Sequence, residues 1–278
     1  MKQFSAFAII AAAALCAACS KPSYGLGEVP SEDSFTYTVT PDKETPNVIR
    51  FSFSGEKVSP FWRVRKPDGS YLESNSREFM LRYYMKGKYD GTLTAYGSGG
   101  EGEPVSFTFN VTENDPIVKK LTGDGTQKVW VWNWSVDKHF GEGSLESTEP
   151  DWWPVGAWEM KDYSMYDDEL EFHYEGHAYI LRANGYVYCD RGALAAMGHK
   201  GNEATNIEYT QPEGQTWGIV NEDGADWLRF SEGAFPSAIP VPQAIGGKFR
   251  ILSLTDDCLY LRLQTPDDSW YYKFVPKK

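Results

Sequence analysis

Phe249-Arg250-Ile251-Leu252-Ser253-Leu254, Leu259-Tyr260-Leu261-Arg262-Leu263 and Trp270-Tyr271-Tyr272-Lys273-Phe274-Val275 close the chain, separated by Thr255-Asp256-Asp257 and Thr265-Pro266-Asp267-Asp268. The three runs are too short for ordinary helices, rich in aliphatic and aromatic side chains, and parted by turn formers. They predict an antiparallel meander. Upstream, residues 177–182 and 186–190 flank Ala183-Asn184-Gly185, and Asn-Gly between alternating runs is the strongest short-range hairpin signal. Helical periodicity is weak and confined to 191–199. Residues 116–278 are therefore expected to be all-β. A jelly-roll-like β-sandwich is the first expectation and a lipocalin-like barrel the alternative, since meanders build both.

The preceding stretch, 35–115, alternates with shorter strands. Val48-Ile49-Arg50-Phe51-Ser52-Phe53 alternates apolar and polar, and Phe61-Trp62-Arg63-Val64-Arg65 runs into the turn Lys66-Pro67-Asp68-Gly69. Strands at 89–96 and 105–111 flank a Gly/Ser/Glu loop. Roughly seven short strands with turns between them predict a small sandwich, ended by the boundary signal Asn114-Asp115-Pro116. Trp62, Lys86-Gly87-Lys88-Tyr89 and Phe107-Thr108-Phe109-Asn110-Val111 resemble the PKD-like and Ig-like modules of bacterial surface proteins. That resemblance implies a spacer.

The whole chain has 278 residues, with Lys+Arg 27 against Asp+Glu 39 and a formal net charge of −12. A negative balance disfavours nucleic acid and anionic membrane surfaces as partners. Aromatic residues make up 15%, including 10 tryptophans and 17 tyrosines, an excess that requires a role.

Met1-Lys2-Gln3 is a short positive start, and residues 4–15 are nearly apolar, which suits a secretory signal and is too short to span a bilayer. Cys16-Ala17-Ala18-Cys19 resembles a bacterial lipobox, with Cys16 where leucine is usual. Residues 1–18 are thus expected to be a lipoprotein signal, Cys19 the lipidated residue, and 19–34 a flexible stalk rich in Pro, Gly, Ser and acids. An ordinary cleaved signal and acylation at Cys16 are the alternatives. Of the later cysteines, Cys189 and Cys258 could pair in an oxidising envelope.

Nine tryptophans fall after residue 115, six of them in 129–158. Val129-Trp130-Val131-Trp132-Asn133-Trp134 has the strand period, which places three indoles on one face, as core or as platform. Trp152-Trp153 and Trp158 lie among Pro, Gly and acids, the chemistry of a loop, where binding and a structural lid are both open readings. Sugar rings offer flat C–H faces to indoles, and their hydroxyls need carboxylate or amide partners. Leu121-Thr122-Gly123, Lys128-Val129-Trp130, His139-Phe140-Gly141-Glu142-Gly143, Asp151-Trp152-Trp153 and Tyr166-Asp167-Asp168-Glu169 together resemble the surface glycan-binding lipoproteins of Bacteroidetes polysaccharide-utilisation systems. That resemblance implies a PKD-like module before a glycan-binding domain, at the outer membrane beside a glycan importer. The chain departs from it in Trp132 and Trp134. Trp152, Trp153, Trp158 and Trp134 are the expected sugar-stacking residues, a β-glucan the expected ligand, and His139, Asp167, Asp168 and Glu169 the expected hydroxyl partners.

A structural or adhesin-like surface protein whose tryptophans are all core is one alternative, and three other chemistries compete. Glu169-Leu170-Glu171 on one strand evokes the paired carboxylates of a glycoside hydrolase. It lacks the third acid of the laminarinase-like signature, and a solvated strand face is the commoner cause. Asp167-Asp168-Glu169 could hold a structural calcium ion, although no ligand set is complete, and Asn221-Glu222-Asp223-Gly224 reads better as a hairpin turn. His173 and His177 are four apart on a strand, about 13 Å, too far to share a metal.

Overall fold

The computed structural model describes residues 26–66, 69–123 and 127–278. The signal segment, Cys16, Cys19 and the first part of the stalk lie outside the described residues, as does Pro67-Asp68. Within them the chain is all-β, as its alternation requires.

The N-terminal strands are β1 (Thr36–Pro41), β2 (Val48–Ser54), β3 (Ser59–Arg65), β4 (Tyr71–Ser74), β5 (Glu78–Arg82), β6 (Gly87–Gly97), β7 (Gly100–Glu101) and β8 (Val105–Val111). One sheet runs β1-β2-β5, and the other runs β4-β3-β6 with β7 and β8 both on the far edge of β6. Period two sorts their side chains: Ile49, Phe51 and Phe53 of β2 and Trp62 and Val64 of β3 are buried between the sheets. There Phe51 stacks on Phe79 at 4.6 Å, and the Trp62 indole N–H donates to the Ser76 carbonyl at 3.1 Å.

The helix α1 (Pro116–Thr122) starts where the boundary signal lies. Asp115 caps it by accepting from the Ile117 N–H at 3.1 Å, and Pro116 fits the first turn, where no N–H is needed. Beyond it come β9 (Gln127–Trp132), β10 (Phe140–Gly143), β11 (Trp153–Pro154), β12 (Glu169–His173), β13 (Tyr179–Arg182), β14 (Tyr186–Cys189), β15 (Thr205–Glu208), β16 (Trp217–Glu222), β17 (Ala225–Phe230), β18 (Lys248–Leu254), β19 (Leu259–Gln264) and β20 (Ser269–Pro276). The main sheet runs β13-β12-β9-β20-β19-β18-β17-β16, with β10 and β11 attached beside β20.

This sheet curls into a half-barrel whose edges meet at one end, where Ala178 bridges Thr216 and the Tyr179 N–H donates to the Gln215 carbonyl at 2.9 Å. Its neighbours are consecutive along the chain from β16 to β20 and from β12 to β13, while β9 lies between β20 and β12 although β10 and β11 follow it in the chain. The curling is that of the barrel-like alternative. The C-terminal meander pairs as its alternation requires. Asn184-Gly185 forms its turn, with φ of 46° and 91°, but β14 leaves β13 and pairs with β15 instead. Asp223-Gly224 is the β16–β17 hairpin turn. Cys189 and Cys258 are free thiols rather than a pair. No helix among the described residues is long and apolar enough to cross a membrane.

Two hydrophobic cores result, and adjacent residues tie them together. Tyr83 is buried in the N-terminal core and Tyr84 in the C-terminal one. The Tyr84 hydroxyl donates to Asp226 Oδ1 at 2.6 Å. Arg82 donates to both oxygens of buried Asp115 at 2.7 and 2.9 Å and reaches Asp226 at 3.4 Å.

Candidate functional site

Along β20, Pro276, Val275 and Phe274 pair with Trp130, Val131 and Trp132 of β9, whereas Tyr272, Tyr271, Trp270 and Ser269 pair with Phe140, Gly141, Glu142 and Gly143 of β10. β9 and β10 are two halves of one track, interrupted opposite Lys273. That residue's carbonyl accepts from the Asn133 N–H at 2.9 Å, and its N–H donates to the His139 carbonyl at 2.8 Å. Residues 133–139 leave the ladder there as a loop.

The interruption settles the tryptophan stripe. Trp130 and Trp132 point into the core and are buried, while Trp134, carried by the loop, is half-buried. The Trp132 N–H donates to Ser237 Oγ at 2.7 Å, and Ser237 in turn donates to Asp168 Oδ2. Asp168 is fully buried and its Oδ1 has no partner among the described residues. Burial pushes its carboxyl up to about 8, against the opposing hydrogen bond from Ser237. It is a core acid and not the expected hydroxyl partner.

His139 is also in the core, contrary to expectation. Its Nδ1 lies 2.8 Å from the Val136 carbonyl and its Nε2 2.8 Å from the Tyr166 hydroxyl. Burial lowers the imidazole pKa, so the ring is neutral at pH 7. A carbonyl can only accept, so Nδ1 carries the proton and Nε2 accepts from Tyr166. The Tyr166 oxygen accepts from the Met160 N–H at 3.0 Å. His139 thus holds the turn that carries Trp158 and touches no surface.

The remaining acids point different ways. Asp167 is exposed and accepts from Asn184 Nδ2 at 3.1 Å, and Glu169 accepts from Lys277 Nζ at 2.6 Å. Glu171 is buried, with Arg182 and His173 each 2.7 Å away, so this strand face is ion-paired rather than solvated. Among the described residues no three His, Cys, Asp or Glu side chains converge on a metal position.

Trp152 and Trp158 are the two exposed tryptophans, at 56% and 49%. The Trp158 N–H donates to the Trp134 carbonyl at 2.9 Å, and the two rings lie 3.7 Å apart between centroids, with Tyr166 edge-on at 6.3 Å. Trp153 points the other way. It packs half-buried against Phe140 and Trp270, each about 6.1 Å between centroids.

Register then brings together residues that the chain keeps apart. Glu142 pairs with Trp153 on one side and Trp270 on the other, so the three side chains share a face. Phe140, two residues before Glu142, is buried on that face, which makes it the concave one. Two glycines permit the arrangement. Gly141 has φ of 145°, and a Cβ there would lie 2.1 Å from the Trp153 carbonyl oxygen. A Cβ on Gly143 would lie 2.5 Å from Asp151 Oδ1. Asp151 fastens the loop by accepting from the Ser144 N–H at 2.7 Å and its hydroxyl at 3.0 Å. These bonds hold its carboxyl below the usual range.

Glu142, Trp153 and Trp270 line a cleft of about 590 Å³ at the mouth of the curled sheet, with Asp190, Arg191 and Asn202 on the facing loops. Burial, and then the nearby Asp268 and Asp190, raise the Glu142 pKa. Sequence reasoning placed Glu142 in a motif and Trp270 in a strand but gave neither a role, and only the register unites them. Compared with known proteins, the chain matches no family model and no curated protein.

Proposed function

We propose that the protein binds a neutral polysaccharide without cleaving it. Exposure of Trp152 and Trp158 carries this reading, because both indoles stay in water while Trp130 and Trp132, from the same segment, are buried. An exposed indole costs apolar contact with water and finds a use in stacking on a ligand's C–H face. Acids stand close to Trp158: Asp137 and Glu159 accept from the Ala157 and Gly156 N–H groups of the turn before it. The resemblance to surface glycan-binding lipoproteins supports the rest of the proposal: a lipid anchor at Cys19, the cell exterior as the working side of the outer membrane, and delivery to an importer. β-Glucans head the ligand panel.

Affinity electrophoresis through gels containing laminarin, barley mixed-linkage β-glucan, xyloglucan or starch tests the reading. At least one gel should retard the wild-type protein, and Trp152→Ala with Trp158→Ala should weaken that retardation without changing the circular dichroism spectrum. Free migration of the wild-type protein in every gel overturns the proposal.

A further inference from the structure

The two exposed indoles are held differently. Trp152 is tied through its N–H to the Glu142 carbonyl at 3.1 Å, and its ring meets no other aromatic ring among the described residues. Trp158 sits in a turn where every backbone N–H from Gly156 to Lys161 has an acceptor. Glu159 Oε2 accepts from Gly156 at 2.6 Å and Asp137 Oδ1 from Ala157 at 2.9 Å. The Trp134 carbonyl accepts from Trp158 at 2.9 Å and the Tyr166 hydroxyl from Met160 at 3.0 Å. The Gly156 and Trp158 carbonyls accept from Glu159 and Lys161 at 3.1 and 3.2 Å. A surface turn bonded so completely has little freedom left to lose.

The turn also carries a conformational cost. Trp158 has φ of 62°, the left-handed region where a side chain is strained and glycine or asparagine is usual. Such strain persists only where the surroundings impose it, and it clusters at sites of use. Here it aims an indole that stays 49% exposed. Trp134 provides the backing. Its ring is half-buried, packs on the hydrophobic core and lies 3.7 Å from that of Trp158 between centroids, with a tilt of 38°. Tyr166 meets Trp158 edge-on at 6.3 Å. One face of Trp158 is thereby supported, and the other is left to solvent.

We infer that Trp158 is the indole on which a sugar ring stacks, that Trp134 is its positioning residue rather than a second contact, and that Trp152 adds little. A ring pre-set by core packing and a bonded turn binds without first losing rotamer freedom, whereas the Trp152 ring has no such backing. With one open face, this shelf takes one pyranose ring through its C–H face. The inference rests on the proposed glycan binding and narrows it from two equivalent indoles to one seated indole and its support.

Single variants run through the laminarin, barley β-glucan, xyloglucan and starch gels test it, read as the polysaccharide concentration that halves mobility. Where the wild-type protein is retarded, Trp158→Ala should raise that concentration about tenfold, the scale of a lost aromatic stack, and Trp152→Ala less than about twofold. Trp134→Ala should weaken binding as much as Trp158→Ala does, and Trp134→Phe, which restores a flat support, should recover most of the loss. Full affinity in Trp158→Ala, or an equal loss in Trp152→Ala, overturns the seat and leaves glycan binding standing. Full affinity in Trp134→Ala, or a Trp134→Phe variant as weak as Trp134→Ala, overturns the positioning role. Free migration of the wild-type protein in all four gels overturns glycan binding itself.

Discussion

The N-terminal sandwich and the C-terminal curled sheet are built from the same material, antiparallel strands with aromatic cores, and finish it differently. Between two facing sheets inward rings meet rings from the opposite sheet, as Phe51 and Phe79 each meet Trp62 at 5.8 Å. In the curled sheet the rings fill a bowl in layers. Phe140 and Tyr272 form one layer, and Glu142, Trp153 and Trp270 form the next toward the mouth. The uppermost layer has no opposing sheet. Curvature therefore creates an inward-facing set of side chains that is not sealed, while the flatter architecture has no equivalent position.

That contrast can be broken at several points. Removing the central indole of either core is the harshest change: Trp62→Ala and Trp132→Ala should each cost about 3–5 kcal/mol in urea unfolding. Trp132→Ala should also abolish retardation by a glucan, whereas Trp62→Ala should leave it intact below the unfolding transition. Equal loss of binding in both would show that the two units do not divide the labour.

The bowl carries a buried acid that its surroundings hold protonated, so a pH response should follow from it. Burial raises Asp168 from an ordinary 3.8 to about 8, and the folded state therefore keeps a proton that the unfolded chain releases. For this group, stability is fully present below pH 3.8, falls as pH rises toward 8, and then levels off. Urea midpoints measured across that window should decline, and the slope should flatten in Asp168→Asn. An unchanged slope in the variant would dismiss the buried acid as its source.

A milder change tests the joint between the regions. Arg82→Ala leaves the Asp115 carboxylate buried without its bidentate partner, an expected loss of about 2 kcal/mol. Calorimetry should then show a broader or more clearly split transition than that of the wild type. The smallest effect belongs to the rim: Trp152→Ala should alter stability by no more than about 0.5 kcal/mol. A larger loss would make Trp152 a structural lid.

Much of this was legible along the chain where partners are close in sequence. The meander, the Asp223-Gly224 hairpin and the turn at Asn184-Gly185 follow from period two and local turn chemistry. The departure of β14 toward β15 does not, because strand choice depends on a partner some twenty residues away. Helix α1 was too short to show a period, although Asp115 and Pro116, which start it, marked the boundary. Trp152 and Trp158 were recognisable as loop indoles. His139 and Asp168 looked like surface polar groups because the partners that make their burial tolerable, Tyr166 and Ser237, come from other segments. Glu142 gained its role only when β20 placed Trp270 beside it.

The interrupted strand has an engineering consequence. Trp132 and Phe140 both face the core and pair with Phe274 and Tyr272, so a single residue opposite Lys273 would complete an unbroken strand. Residues 133–139 can then be regarded as a cassette inserted at a register-neutral splice point. Its removal should erase the Trp134–Trp158 shelf while sparing the ladder, and cassettes of other composition could be seated on the same two hydrogen bonds. The scaffold thereby separates the surface that can vary from the frame that must not.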